Sequence, residues 1–336
     1  MNFDPNISTP LAIGLGLLAA AMWGSWFIAL KYLGDYPLEA FFFTLFAASL
    51  VIVWGVGVII DGRALFQNII EIWKVDPSRI YITFICGNLY VAGILFTLRV
   101  YRVLGLAIAQ PITSAINVVG GTVISAIIGG VPENLTPFRI TLSISFLLAA
   151  VLLSMRAGRI RNEAQEAENV ETGLSRDPQE IKRAVALLIV ASLLVPAYTI
   201  GLSYGLQTIT QPNGLAVLPF MAILVSGAFF SALLICGIPL TLRKQWQVFR
   251  SHGFSIHRLG ILSGLAHYGG NIIHTFATRN LSSVVSWPLG FTSGLWTQMW
   301  GLVFGEFKGS PAKAYLFLGG GVVCYLIGAM IIANII

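Results

Sequence analysis

The sequence predicts an all-α polytopic membrane protein: ten transmembrane helices arranged as two inverted five-helix repeats. Three observations carry this. Hydrophobic residues make up 56% of the 336 and charged residues 10%, where a soluble domain carries about 25% charged; mean hydropathy is +0.82. Apolar runs of roughly twenty residues recur along the chain, each long enough for a hydrocarbon core about 30 Å thick. A charged stretch then divides the runs five and five, and because five is odd, a duplicated half must insert upside down relative to the first.

The spans are expected near 11–30, 38–60, 79–98, 103–129, 138–154, 184–206, 215–240, 258–278, 283–304 and 314–335. The opening MNFDPNISTP has an acid and no Lys or Arg, so it lacks the basic n-region of a signal peptide and the first span is expected to be retained. Segment 61–78 alternates polar and apolar residues loosely, as an interfacial stretch does. Segment 155–183 holds six basic and six acidic residues and reads as a solvated linker, or a helix laced with internal ion pairs. The organisation expected is therefore a first repeat at 1–154, a charged cytoplasmic linker at 155–183 and a second repeat at 184–336. The last two connections of interest frame span 9, where Pro288 is placed at the helix start and Glu306 at a hard stop. Proline costs little there because a first-turn N–H has no intrahelical acceptor.

Internal similarity supports duplication. A shift of 177 residues superimposes Gly87–Ile112 on Gly264–Leu289 without a gap and makes Gly87/Gly264, Gly93/Gly270, Arg102/Arg279, Leu104/Leu281 and Pro111/Pro288 identical. Two of these are helix-packing glycines, one a membrane-edge arginine and one a proline. Basic residues give the orientation. Cytoplasmic termini would put only Arg63, Lys74, Arg79, Arg139 and Arg279 inside, whereas the opposite orientation puts the other fifteen there. The positive-inside rule places both termini outside the cell (inner) membrane.

Composition excludes several classes. The net charge of +6 lies in loops and reports orientation, not nucleic-acid binding. Cys86, Cys236 and Cys324 have no metal-ligand or disulfide spacing and read as packing residues. Gly14-Leu-Gly16-Leu-Leu-Ala19 follows no strand and is packing, not a dinucleotide fingerprint. There is no phosphate loop, zinc-protease pair or Gly-x-Ser-x-Gly elbow, so neither an enzyme nor a cofactor is expected.

The informative polar residues are few. His267, Asn271 and His274 recur at i, i+4 and i+7 on span 8, one helical face. They form either an inter-helix hydrogen-bond rung or part of a solute site and proton relay; a metal site lacks a thiolate or carboxylate to join them. Asn88 and Tyr90 lie on span 3, and Gln110, Thr113, Ser114 and Asn117 on span 4. Trp23 and Trp26 sit near the middle of span 1 and Trp296 near the middle of span 9, where aromatic faces beside amides suit a sugar ring; Trp287 and Trp300 read as interface anchors. Glu39, Glu133 and Glu306 all stand at span edges, so the interior offers no carboxylate to bind a lipophilic cation. The cargo is then neutral or weakly polar. Proton coupling would run through His267 or His274, whose side-chain type titrates near pH 6.5; sodium coupling and no coupling stay open.

The five-plus-five plan, Trp23-Gly24-Ser25-Trp26-Phe27 with Lys31, and Pro288-Leu289 … Trp300-Gly301 … Gly305-Glu306-Phe307-Lys308-Gly309 resemble the drug/metabolite transporter superfamily. Within it the chain looks most like the sugar-carrying branch of rhamnose–proton symporters, glucose/ribose porters and ureide permeases. The resemblance implies a central cavity lined by spans 1, 3, 4, 6, 8 and 9, with spans 5 and 10 supporting. Trp23, Trp26, Asn88, Asn117, His267, Asn271, His274 and Trp296 would meet there as substrate-binding residues. It implies a secondary carrier, working by alternating access in the lipid bilayer, for a small polar solute of the sugar type; an exporter of drugs or metabolites, or a ureide or nucleobase permease, is the alternative. Outside transport the residues leave a membrane receptor or scaffold, or an intramembrane enzyme for which His267 with His274 is the candidate pair.

Overall fold

The chain is almost wholly helical in the computed structural model, which describes residues 7–104, 106–168 and 178–336. Among these, the strand-like feature is one isolated bridge between Leu206 and Leu215. Among the described residues seven helical stretches are long and apolar enough to cross a membrane: Thr9–Tyr32, Leu38–Asp61, Ser78–Val100, Pro137–Glu163, Lys182–Tyr204, Val217–Leu242 and Ala312–Ile332.

In chain order, α1 (Thr9–Trp23) gives way to a 3₁₀ segment, Trp26–Tyr32; α2 (Leu38–Asp61), α3 (Arg63–Val75), α4 (Ser78–Leu104), α5 (Leu106–Gly129) and α6 (Pro137–Glu168) follow. After the linker come α7 (Pro178–Leu194), α8 (Ala197–Tyr204), α9 (Val217–Ala232) with a π-helical turn at Leu233–Gly237, α10 (Ile238–Leu242), α11 (Val248–Ser251) and α12 (Phe254–Leu281). The chain closes with α13 (Ser283–Gly290), α14 (Ser293–Val303) and α15 (Ala312–Ile332).

Three of the ten expected spans are absent from the seven, each for a visible reason. Span 4 is α5, whose described side chains begin at Thr113, leaving a shorter apolar helix, Thr113–Gly129. Span 8 is α12, 28 residues long but carrying His257, Arg258, His267, Asn271, His274 and Arg279. Span 9 is not one helix: α13 and α14 are separated at Phe291 and Thr292. Pro288 sits inside α13, not at a helix start. The helix begins at Ser283, and the break falls just beyond the proline. Its C-terminal piece stops at Val303, so Glu306 lies in the turn that follows.

Segment 61–78, expected to alternate, forms the helix α3, with Phe66, Ile70 and Trp73 exposed at i, i+4 and i+7, the stripe of an amphipathic helix. The charged linker is helical as far as Glu168, with an Arg159–Glu163 ion pair at i, i+4; residues 169–177 lie outside the described part, as do the side chains of Arg102, Gln110 and Pro111.

The largest core joins α2, α4, α8, α9 and α12 around Phe41, Phe46, Tyr198, Phe220 and Tyr268. A second pair, α6 with α15, packs on small residues, Ser143 Oγ donating to the Gly328 carbonyl at 2.8 Å. The free thiols of Cys86 and Cys236 are buried in the first core.

Candidate functional site

α1 and α12 run antiparallel. Ser263 Oγ donates to the Trp26 carbonyl at 2.8 Å, Trp23 Nε1 donates to Asn271 Oδ1 at 2.8 Å, and Gly16 lies against Ala277. This lines up the broken end of α1 with the polar face of α12. Trp23 needs two glycines to fit: a Cβ at Gly290 would come 2.6 Å from its ring and one at Gly270 2.9 Å. Trp287 is seated likewise, because a Cβ at Gly121 would overlap its indole nitrogen at 2.1 Å; that nitrogen donates to the Asn117 carbonyl at 3.0 Å.

These contacts border a cavity of about 230 Å³, at the small end of small-molecule pockets. Its aromatic walls are Trp23, Trp26, Tyr90, Trp287 and Phe291; its polar side chains are Thr97, Thr113, Ser114, Asn117, His267 and Ser293. None of the described lining residues is charged. Three polar atoms are buried without a hydrogen-bond partner: Thr97 Oγ1, Asn117 Oδ1 and His267 Nδ1. Such atoms are rare in folded proteins and mark a place where a ligand or water belongs.

The two histidines of α12 are used differently. His267 Nε2 meets the Tyr90 hydroxyl at 3.2 Å, its ring lies 5.1 Å from that of Trp26, and its other nitrogen is unpartnered. His274 is fully buried outside the cavity lining. Its Nε2–H donates to the Ser286 carbonyl at 3.0 Å, so Nδ1 is the acceptor, facing the Tyr198 hydroxyl at 3.4 Å. The ring packs 4.6 Å from Trp23.

Of the residues expected to meet, the cavity gathers Trp23, Trp26, Asn117 and His267. Asn271 lies behind Trp23, which it holds, with its own Nδ2 unpartnered. Asn88 is outside the lining: its backbone faces α9 at Gly227, and two residues at about 100° each turn it away from Tyr90. Trp296 is also outside. It lines an apolar lateral groove with Ile13, Leu17 and Met299, while Trp287, expected as an interface anchor, is 5% exposed and faces the cavity. Trp300, the other expected anchor, donates from Nε1 to Ser25 Oγ at 2.7 Å.

Reasoning from the sequence did not reach Thr97, Phe291 and Val195. For Thr97 a signal existed, since Tyr90, Ile94, Thr97 and Leu98 share the i, i+4, i+7, i+8 face of α4. Among the described residues no three His, Cys, Asp or Glu side chains come together as metal ligands.

The two ends of the site are closed differently. At one end residues 205–216 fold back on themselves: Leu215 N donates to the Gly205 carbonyl at 2.8 Å and Gln207 N to the Leu215 carbonyl at 2.9 Å. Arg279 Nη1 then donates to Gln207 Oε1 at 2.9 Å. Ser263 lies sixteen residues before Arg279, roughly 24 Å along α12 at about 1.5 Å per residue, and beyond it lies the other end. There Glu306 is gripped by Lys31 and by Arg161 at 2.9 Å. Burial pulls the Glu306 carboxyl upward, but the two cations outweigh it and hold the group below the ordinary glutamate range.

No protein-family model matches the sequence. Among curated proteins the chain is similar to the probable glucose uptake protein GlcU of Staphylococcus aureus, strains Mu50 and N315, at 26% identity over 179 residues in each. The match takes in 53% of this chain and 55% of each relative, so the chain spans about half the length of the curated relatives it matches. A solved crystal structure of a protein aligns with 97% of this chain and 99% of its own at a TM-score of 0.61 and 15% identity, a likeness of fold.

Proposed function

We propose that this chain is a secondary carrier, not an enzyme, that moves a small neutral hydroxyl-rich solute, a sugar, across a membrane by alternating access. The observation that carries the reading is the uncharged cavity with aromatic walls and three unpartnered polar atoms, Thr97 Oγ1, Asn117 Oδ1 and His267 Nδ1. Aromatic faces take the C–H side of a pyranose, and the three atoms offer hydrogen-bond positions to its hydroxyls. Similarity to a glucose uptake protein points to the same cargo class.

The reading includes ten spans in two inverted halves, 1–154 and 184–336, with 155–183 between them. Two kinds of contact support it. Gly87 on α4 packs against the Leu224 carbonyl of α9, and Gly264, its counterpart 177 residues on, packs against the Leu45 carbonyl of α2. Each half thus lends the same helix to the other. Tyr90 and His267 are also 177 residues apart, and they touch. Equivalent residues in contact lie on the axis that relates two halves, and both line the cavity; a solute site at a repeat interface is what such carriers use. In this reading His267 takes the proton if transport is proton-coupled, because His274 has both nitrogens engaged. The Lys31 end faces the cytoplasm and both termini the outside.

Counterflow in proteoliposomes tests this. Glucose preloaded inside should drive labelled glucose uptake that other hexoses compete with. Counterflow confined to ureides or lipophilic cations, with no response to any sugar, would overturn it.

A further inference from the structure

A second cavity of about 160 Å³ lies between the central one and the Lys31 end. Ser114 lines both. Its other polar lining includes Ser154, Thr297, Gln298, Arg161 and Glu306. Gln298 donates from Nε2 to Ser154 Oγ, and its Oε1 is buried with no hydrogen-bond partner. An amide oxygen left bare beside a polar void again marks a position for a hydroxyl.

The second cavity is walled by α5, α6, α14 and α15, and α14 is the outer piece of one of two broken helices whose breaks meet. α1 ends at Trp23 and continues as the 3₁₀ segment; α13 ends at Gly290 and continues as α14. The breaks touch, since a Cβ at Gly24 would lie 2.5 Å from the Ser293 carbonyl oxygen. Trp300 bonded to Ser25 and Lys31 paired with Glu306 then bind the two outer pieces into one unit. Arg161 ties that unit to α6 through Glu306. The tie is light: the Lys31 and Glu306 side chains are 42% and 38% exposed, and pairs in that setting are individually weak. Backbone turns with positive φ at Gly305 (70°) and Gly309 (81°) flank the glutamate. By contrast, the 205–216 end is closed by backbone hydrogen bonds and the fully buried Leu206 and Leu215.

We propose that the second cavity is the passage of the hydroxyl-rich solute between the central cavity and the Lys31 end, and that Lys31, Glu306 and Arg161 form the latch that closes it. The proposal rests on the carrier reading above. The 3₁₀ segment and α14 swing together about Gly24–Ser25 and Phe291–Thr292 when the latch opens.

The test measures accessibility, not transport. In the full chain with Cys86, Cys236 and Cys324 replaced by alanine, Ser114→Cys is labelled in liposomes with a membrane-impermeant maleimide applied to each face in turn. Glu306→Gln, which loses both ion pairs, should raise the labelling rate from the Lys31 face about three- to tenfold, the range two individually weak pairs allow. Lys31→Gln with Arg161→Gln should do the same, and Glu306→Asp should stay near the parent rate. Unchanged labelling in both latch variants, in protein with the parent melting temperature, overturns the proposal, as does an equal rise from the opposite face. Labelling that responds in a protein without sugar counterflow would keep the latch and remove the sugar; counterflow without a labelling response would do the reverse.

Discussion

His267 and His274 stand two turns apart on α12, close to the same face, yet their surroundings assign them opposite work. His267 reaches the cavity, touches Tyr90 and leaves Nδ1 without a partner. His274 spends Nε2 on the Ser286 carbonyl and Nδ1 on Tyr198. One imidazole keeps a nitrogen without a partner beside the cavity; the other fastens α12 to α13 and α8. The lesson is that polar residues in a bilayer divide by the partners of their second atom, which helical spacing alone does not reveal.

The comparison breaks most visibly in folding. His274→Ala strips the Ser286 carbonyl and the Tyr198 hydroxyl of a partner, at about 1–3 kcal/mol each, and opens a void beside Trp23. A loss of about 3–5 kcal/mol is expected, read as a lower melting temperature in detergent and poor yield. His274→Gln, which keeps a donor for Ser286, should recover part of it. His267→Ala should melt close to the parent. Equal melting temperatures for the two alanine variants would erase the distinction.

Transport should reverse the order. His267→Ala removes one solute hydrogen bond, about 1.5 kcal/mol, which raises KM about tenfold in uptake assays. His267→Asn, which offers an amide in place of Nδ1 but takes no proton, separates binding from coupling. It should regain affinity while the pH dependence of uptake disappears, and His274→Gln should keep that dependence. Glu306 does not confuse the readout. Its carboxyl is held low by Lys31 and Arg161, so its charge is kept at neutral pH and its ion pairs are lost only as pH falls below the ordinary carboxylate value of about 4.3. A pH profile in His267→Asn identical to the parent would remove this histidine from coupling.

A smaller effect is expected at the other unpartnered atoms. Thr97→Val and Asn117→Leu each delete one position for a solute hydroxyl and should raise KM about three- to tenfold, without the folding loss of His274→Ala. A KM unchanged in both would move the solute out of this cavity.

The helical membrane class and the positions of the seven long apolar helices were legible because hydropathy is a local property. Leu38–Asp61 departs from its expected range of 38–60 by one residue. The cluster on α12 was legible for the same reason, since polar residues stand out against an apolar run. What was not legible depends on helix phase and on breaks. Asn88 and Tyr90 look equivalent in sequence, but only Tyr90 faces the cavity, because nothing local says which side of α4 meets α9. The break after α13 falls at Phe291 and Thr292, where Thr292 Oγ1 donates back to the Leu289 carbonyl at 2.7 Å, while Pro288 is accommodated within the helix. Trp287 reads as an anchor at a span end, and it becomes a wall of the site because Gly121 on a distant helix admits its indole.

The mildest variants probe the lateral side. Trp287 and Trp296 stand on separate helices, α13 and α14, so the break between them leaves each tryptophan to the face of its own piece, one toward the cavity and one toward the groove. Trp296 is 36% exposed in the apolar groove between α1, α14 and α15, a surface that hydrocarbon satisfies as well as an indole does. Trp296→Leu should therefore leave KM within about twofold, below the 1.4 kcal/mol that a tenfold change represents. Trp287→Leu, which also abandons the hydrogen bond to the Asn117 carbonyl, should raise it at least as much as His267→Ala. A large KM effect at Trp296 with none at Trp287 would put the solute on the lateral side of α14 and leave the unpartnered atoms around His267 to water.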